Sequence, residues 1–281
     1  MRMDDQEESQ NVEDARGAGG FQFRPIHGMG LGTLGVVLIG GWLLGINPIR
    51  MLGLLNGSDV QAPSAPVGAP PADDPQAKFV SQILRSTEVV WARDFEHMGR
   101  QYENPTLVLY RDSIGTACGL GRSAAGPFYC PNDRKVYLDL GFFDLMTQQL
   151  GAPGQFAHAY VIAHEVGHHV QNLFGTVGNG DADRGASGQS VRLELQADCY
   201  AGVWANLSQH EHGWRLESGD IETALNAASQ IGDDTLQRRS TGRVVPDSFT
   251  HGTSSQRVGW FKRGFESGSI DRCDTIGAPT L

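Results

Sequence analysis

The pattern of apolar and polar positions divides the chain into four parts. Residues 1–27 are polar, acidic and Gly-rich, which predicts a disordered tail. Residues 28–49 carry no charge and are long enough for one transmembrane helix, which needs roughly 20 residues. Residues 50–75 are rich in proline and predict an extended linker. Residues 76–281 carry the periodic patterns of a folded domain.

Within residues 76–281, two kinds of period predict two kinds of element. Apolar residues recur at helical spacing in six stretches, namely 79–91, 142–150, 156–174, 190–205, 220–231 and 254–266. Short runs rich in β-branched and aromatic residues predict strands at 106–110 and 135–139. Helices and strands in this mixed order predict an α+β fold.

The helix predicted at 156–174 contains the run His164-Glu165-Val166-Gly167-His168. Positions four apart share one face of a helix, so both imidazoles can reach a single ion. Glu165 is the next residue of the helix after His164, so it lies beside the ion and not on it. A general base for a zinc-bound water is expected at this position. The alternative interpretation of these five residues is a chance match of surface side chains.

The next predicted helix carries a second pair of candidate residues, Glu194 and Asp198. They are also four apart and share a face of an otherwise apolar helix. One carboxylate can ligate the metal, and the other can accept the free ring N–H of a ligating histidine. An ordinary solvated pair of carboxylates is the alternative. Asp181 or Asp183 could also supply the third ligand, but a Gly-flanked loop holds geometry less well than a helix.

Together the two motifs resemble the gluzincin arrangement of zinc peptidases. The residues in and around these motifs resemble one family in particular, the putative neutral zinc metallopeptidases, which are YpfJ-like membrane-anchored bacterial proteins. The segments 11–14, 126–131 and 251–258 also match, so the resemblance spans nearly the whole chain. It implies a zincin-like domain with a small antiparallel sheet packed on the HExxH helix. The edge strand of such a sheet can pair with an extended peptide.

The motifs and the resemblance predict a membrane-anchored, zinc-dependent, endopeptidase-like enzyme. His164, His168 and Glu194 are expected to hold Zn²⁺, with Glu165 as general base. The developing oxyanion needs a further donor, for which His251 is the candidate and Tyr160 the alternative. The expected partner is a peptide or protein substrate. A non-catalytic binding module or scaffold, with a structural or degenerate zinc site, is the competing hypothesis.

Charge distribution bears on partners and on membrane orientation. The formal net charge of −10 and the absence of a basic stripe argue against nucleic acid as a partner. Arg2, Arg16 and Arg24 precede the predicted membrane span, whereas Arg50 alone follows it before Lys78. The positive-inside rule therefore predicts a single-pass inner-membrane protein with a cytoplasmic N-terminus and a periplasmic or otherwise extracytoplasmic catalytic domain.

The four cysteines support export of the domain. Cys118, Cys130, Cys199 and Cys273 include no C-x-x-C pair of the kind found in structural zinc sites. An even number in an exported domain suggests two disulfides. Cys118–Cys130 would close a Gly-rich hairpin, and Cys199–Cys273 would tie the C-terminal tail to the helix that carries Glu194. Four buried free thiols are the alternative.

Overall fold

A computed structural model describes most of the domain and a short N-terminal segment. The described residues are 1–3, 6–17, 68–123, 126–176, 184–210 and 214–281. The predicted membrane span at 28–49 and most of the predicted linker lie outside them. Among the helices in these ranges, none combines the length and apolar character needed to cross a membrane.

Helices make up most of the described domain. Seven α-helices occur in the described residues, namely α1 (Pro75–His97), α2 (Gly141–Leu145), α3 (Gln155–Phe174), α4 (Gln189–Leu207), α5 (Asp220–Gln230), α6 (Asp233–Thr241) and α7 (Ser254–Ser267). All six predicted helices are present, and the one predicted at 142–150 consists of α2 followed by a π-helical turn. Helix α6 was not predicted because its sequence is largely polar and has no apolar period.

Local sequence explains where two of the helices begin. The Asp74 side chain accepts hydrogen bonds from the backbone N–H groups of Gln76 and Ala77, and Pro75 occupies the first helical position of α1. Helix α7 begins with a capping box formed by Thr253 and Gln256. These caps satisfy N–H groups that have no partner within the helix.

The strands form one four-stranded sheet and two small pairs. In the described residues they are β1 (Arg2–Met3), β2 (Val12–Asp14), β3 (Thr106–Tyr110), β4 (Ser113–Thr116), β5 (Gly119–Arg122), β6 (Phe128–Cys130), β7 (Lys135–Asp139) and β8 (Trp214–Arg215). The main sheet has the order β2-β3-β7-β6, while β4 pairs with β5 and β1 with β8. The two predicted strands match β3 and β7 residue for residue.

The α+β class is confirmed, but the prediction of an antiparallel sheet is wrong for most of the main sheet. Strands β2, β3 and β7 are mutually parallel, and only β6 runs antiparallel to its neighbour. The reason is the connection between β3 and β7. The chain leaves β3, forms the β4–β5 hairpin and then β6, and so returns to β7 in the original direction.

Side chains of the main sheet alternate between two apolar clusters. Leu107 and Leu109 of β3 join the core formed with the helices. Val108 and Tyr110 of the same strand point the other way and pack with Tyr137 in a smaller cluster. This is the period of two expected of a strand covered on both faces. The helical side of the sheet therefore carries the main core of the domain.

The prediction of a disordered tail is wrong for residues 6–17. Val12 is buried in β2, which extends the sheet beside β3. Ser9 and Asn11 both donate hydrogen bonds to the Glu88 carboxylate, which is 3% exposed. The acidic, Gly-rich composition of residues 1–27 did not predict this short strand. The strand is stabilised by pairing with β3 and not by its own apolar content.

Glycines allow the helices of the site to approach closely. A Cβ on Gly264 of α7 would lie 1.9 Å from the carbonyl oxygen of Cys199 on α4. A Cβ on Gly167 of α3 would lie 3.0 Å from the carbonyl oxygen of Ala197 on α4. Helix α4 is thus held between α3 and α7 at backbone contact, which fixes the relative positions of their side chains.

Both predicted disulfides are present. Cys118 pairs with Cys130, and Cys199 pairs with Cys273. The first pair joins the end of β6 to the turn of the β4–β5 hairpin, and the second joins α4 to the C-terminal segment. Among the described residues no cysteine is free.

Candidate metal and catalytic site

Helices α3 and α4 bring three candidate ligands together. His164 and His168 lie one turn apart on α3, and Glu194 faces them from the first half of α4. The Nε2 atom of His164 lies 3.1 Å from one carboxylate oxygen of Glu194, and Nε2 of His168 lies 3.4 Å from the other. One ligand atom from each residue falls within 4.8 Å of the others.

These separations fit a zinc ion. Zinc binds histidine nitrogen and carboxylate oxygen at about 2.0–2.2 Å in tetrahedral geometry, so neighbouring ligand atoms lie about 3.3–3.6 Å apart. The two measured nitrogen-to-oxygen distances, 3.1 and 3.4 Å, are close to that value. Two imidazoles and one carboxylate are also the donor types zinc prefers, and a tetrahedral ion would keep a fourth position for water or substrate.

A buried carboxylate orients the first histidine. The Nδ1–H group of His164 donates to Asp198 at 2.9 Å, which leaves Nε2 directed at Glu194. Asp198 is fully buried. Asp198 lies one turn after Glu194 on α4, behind the cluster. It accepts the ring N–H of His164, which is the contact expected for one carboxylate of this pair.

Arg257 of α7 holds Asp198 in turn. Its guanidinium donates to both carboxylate oxygens of Asp198, from Nε at 2.8 Å and from Nη2 at 2.9 Å. The hydroxyl of Tyr160 donates to the same carboxylate. Burial alone would raise the pKa of Asp198, but Arg257 and His164 outweigh it and lower that pKa below its ordinary value. Asp198 is thus a fixed negative charge.

The second histidine has its own orienting partner. The Nδ1–H group of His168 donates to the side-chain oxygen of Gln171 at 2.8 Å. The Gln171 amide in turn donates to the backbone oxygen of Leu193 at 2.7 Å and to Gln196 at 3.1 Å. Gln171 is fully buried. It therefore links the orientation of His168 to the backbone of α4, next to Glu194.

Charges within the cluster show that it accommodates a cation. Burial would lower the pKa of His164, but Asp198 and Glu194 outweigh it and raise that pKa to about 10. Burial would raise the pKa of Glu194, but His168 and His164 lower it well below its ordinary value. Without a metal the site therefore binds a proton, which a metal ion must displace because it binds neutral imidazole.

Glu165 lies beside the three ligands in the wall of the same cavity. Its side chain is largely buried, with 7% of the residue exposed. Burial raises the pKa of Glu165 above its ordinary value. A carboxylate with a raised pKa is a better proton acceptor for a reaction near neutral pH.

The cavity in front of the cluster has a volume of about 620 Å³. Much of its wall is apolar, and the apolar side chains include Pro127, Phe128, Phe142, Leu145, Leu150 and Val161. Strand β6, at one edge of the main sheet, contributes Phe128 and Tyr129 to this wall. The cluster is therefore reached through an apolar cleft beside a sheet edge.

Side-chain hydrogen bonds fix β6 against the metal helix. The ring of His169 donates from Nε2 to the backbone oxygen of Glu103 at 2.6 Å and accepts from the Tyr129 hydroxyl at 3.0 Å. Asn172 also donates to that hydroxyl, at 2.9 Å. Burial lowers the pKa of His169 to about 4, so its ring stays neutral. His169 is thus a structural residue.

The two candidate oxyanion donors have different surroundings. His251 lines the cavity and its side chain is half exposed. Its Nδ1 atom lies 3.3 Å from Asp233, and this hydrogen bond raises the pKa of His251. Tyr160 is fully buried, and its hydroxyl donates to Asp198. Both residues line the cavity, but the Tyr160 hydroxyl is engaged with Asp198, whereas the His251 ring is half exposed.

Sequence reasoning missed three residues that shape the site, namely Arg257, Gln171 and Asp233. Gln171 follows His168 by three positions on the same helix, and that spacing is a usable signal. Asp233 and Arg257 lie far along the chain from the two metal motifs, although Arg257 falls within the family-matching segment 251–258. Their roles depend on how α6 and α7 dock, and no pattern in the sequence specifies that docking.

A helix with two histidines and a glutamate, a glutamate from the following helix, and an apolar cleft in front of them define a site of the zinc-peptidase class. Comparison with known proteins agrees with this. The family described as "Putative neutral zinc metallopeptidase" matches residues 1–276. The chain belongs to this family.

Two relatives illustrate the extent of the match. "Uncharacterized protein YpfJ" of Escherichia coli is 49% identical over 290 residues, which cover 99% of each chain. An uncharacterized protein of Mycobacterium tuberculosis is 45% identical over 190 residues, covering 64% of this chain and 65% of the relative. No solved structure matches the chain.

Proposed function

We propose that this protein is a zinc-dependent peptidase, attached to a membrane through the apolar segment 28–49, with its domain outside the cytoplasm. One observation carries the peptidase proposal. His164, His168 and Glu194 form a metal-sized cluster in the wall of an open apolar cleft, with Glu165 beside it. A purely structural zinc site would favour four protein ligands and would have no use for Glu165.

The chain's own residues divide the chemistry among them. His164, His168 and Glu194 would hold the ion, while Asp198 and Gln171 fix the two imidazole rings. Zinc, when bound, supplies Lewis acidity that lowers the pKa of a water towards about 7 and polarises a substrate carbonyl. Glu165 accepts the proton of the attacking water and then passes it to the leaving amine.

His251 stabilises the negative charge that develops on the carbonyl oxygen. Its Nδ1 atom faces Asp233, which leaves the Nε2 side of the ring for the substrate. The Asp233 carboxylate also accepts the backbone N–H groups of residues 250 to 252, so it fixes the turn that presents the ring. A positioned donor of this kind contributes most in the transition state.

The cleft fits an extended peptide with a large apolar side chain near the cut bond. Apolar side chains dominate its wall, and β6 is the edge strand beside it. An extended peptide can add to a sheet edge through main-chain hydrogen bonds, with alternate side chains entering the cleft. This arrangement supports the cleavage of internal peptide bonds of a substrate.

The test is Glu165→Gln with zinc content and peptide hydrolysis measured on the same preparation. Glutamine keeps the size of the side chain but cannot accept the proton, so zinc should stay bound while turnover falls about 10²–10⁴-fold. The matched control is Glu96→Gln, at an exposed position on α1, which should change neither quantity. A Glu165→Gln protein as active as the wild type would refute the mechanism. Zinc binding without hydrolysis of any peptide in a diverse library would favour a binding module.

A second pair of variants tests the oxyanion donor. His251→Ala should lower kcat about 10²–10³-fold with little change in KM, because the interaction forms mainly in the transition state. His210→Ala, at an exposed position in the 3-10 turn Ser208–His210 that follows α4, should leave both parameters unchanged. If KM rose while kcat stayed constant, His251 would be a substrate-binding residue.

A further inference from the structure

Helix α6 contributes one apolar side chain to the wall of the cavity. Leu236 lines the cavity although 36% of the residue is exposed. Ile231, at the end of α5, and Leu150, at the end of the π-helical turn, line the same cavity. Arg239 of α6 donates to the backbone oxygen of Leu150 at 3.3 Å, so α6 lies against that turn. We call Leu150, Ile231 and Leu236 the α6 pocket.

The first turn of α6 is bonded to residues 250–254, the segment that carries His251. The Asp233 carboxylate accepts three backbone N–H groups of this segment, at 2.7, 2.6 and 3.0 Å. Asp234 accepts the backbone N–H and the hydroxyl of Ser254, both at 2.8 Å. The first turn of α6 and the segment 250–254 therefore form one hydrogen-bonded unit.

The rest of α6 is held weakly by the core of the domain. Within Asp233–Thr241, Asp233 is the one buried residue, and it is held by polar contacts. Most helices in proteins gain their stability from the packing of an apolar face. The position of α6 therefore depends on its bonds to the segment 250–254 and on what covers Leu236. An apolar group of a bound substrate would supply that cover.

We propose that Leu236 determines substrate specificity, and that α6 transmits the binding of a large apolar substrate side chain to His251. A side chain in the α6 pocket holds α6 in place, and the bonded segment 250–254 then holds the His251 ring towards the substrate carbonyl. Asp233 is a positioning residue, since it acts through His251. The inference rests on the proposed function and adds the substrate side chain and the residue that recognises it.

This coupling has a kinetic consequence that a simple contact lacks. Contacts that hold substrate and transition state equally well lower KM and leave kcat unchanged. Binding energy that also places His251 raises kcat, because an oxyanion donor acts mainly in the transition state. One methylene in an apolar pocket typically changes kcat/KM by about 10–200-fold. A peptide with leucine facing the α6 pocket should therefore exceed its alanine counterpart by at least about tenfold, largely through kcat.

Leu236→Ala tests the specificity in the zinc-loaded, full-length protein. The substrates are peptides with leucine or alanine on either side of the cut bond. The wild type should prefer leucine at one of these positions, and Leu236→Ala should lose most of the preference through kcat while keeping its zinc. Leu236→Met, of similar volume, should retain it. The matched control is Val245→Ala, which truncates an apolar side chain that is 41% exposed and lies outside the cavity wall. An unchanged preference in Leu236→Ala would overturn the proposal.

The His251→Ala background separates coupling from direct contact. If Leu236 acts on kcat through His251, then Leu236→Ala should cause no further fall in kcat once His251 is alanine, so the two losses should not add. Equal falls in kcat in both backgrounds would overturn the coupling and leave Leu236 as a contact residue.

Peptide binding to the zinc-loaded Glu165→Gln variant gives a result that does not depend on hydrolysis. At saturation, the imidazole NMR signals of His251, assigned with His251→Ala, should differ between the leucine and alanine peptides. Leu236→Ala and Asp233→Asn should each remove this difference. Identical signals with both peptides would refute the coupling alone. A leucine-specific signal in a protein whose wild type hydrolyses no peptide would refute the peptidase proposal and keep the coupling. A protein that binds neither peptide would refute both.

Discussion

The Arg257–Asp198 pair should contribute strongly to stability, and Arg257→Met tests this. Arg257 is 2% exposed and Asp198 fully buried. Breaking a buried ion pair by removing one partner typically costs about 3–5 kcal/mol, because the other charge stays buried. His164, whose pKa is raised to about 10, still faces Asp198 as a cation in the metal-free protein. We therefore expect a loss near the lower limit, about 3 kcal/mol.

The assay is denaturant unfolding of the metal-free protein at pH 7.5, combined with a double-mutant cycle. Adding Asp198→Asn to Arg257→Met removes the uncompensated charge, so the double variant should be more stable than the two single losses predict by addition. The deviation should exceed the roughly 0.5 kcal/mol expected of independent sites. A loss below about 1 kcal/mol for Arg257→Met, or additivity within that error, would refute the reasoning.

Three further predictions concern the metal and the helix contacts. Asp198→Ala should weaken zinc binding about 10–100-fold, measured by competition with a chelator, because His164 loses the group that orients it. Zinc affinity of the wild type should rise with pH between 6 and 9, by up to about tenfold per pH unit for each proton that zinc displaces. The reason is that the raised pKa of His164 keeps a proton in the metal-free site over this range. An affinity that does not change with pH would contradict the proton-bound cluster. Gly264→Ala should destabilise the domain by at least about 1–3 kcal/mol in thermal unfolding, because the new Cβ would lie 1.9 Å from a backbone oxygen. The control is Gly259→Ala on the same helix, where a Cβ would have no atom within 4 Å. This control should be neutral or slightly stabilising.

The sequence predicted those parts of the site that depend on local periodicity. His164, Glu165 and His168 share one helix, and Glu194 and Asp198 share the next, so helical spacing placed each set on a face. That the two faces meet followed from the chemistry of zinc, which needs a third protein ligand. The structure brings these residues together as expected.

The missed features depend on contacts distant in sequence. Arg257 reaches Asp198 only because Gly202 and Gly264 let α4 and α7 touch. Strand β2 is three residues long and gains its order from β3, nearly a hundred residues away. The parallel direction of β7 depends on the path of the connection and not on the residues within the strand. Local patterns carry no information about such pairings.

The ion pair between α4 and α7 also sets an order in time. Once translation has passed Glu194, the nascent chain contains all three metal ligands. Asp198 gains its guanidinium partner only after Arg257 has also been made. A nascent chain that ends before α7 therefore carries every metal ligand while the carboxylate behind His164 lacks its counter-charge. The site becomes complete only when α7 has been made and docks on α4, so a chain that stops before α7 has the motif without the finished geometry.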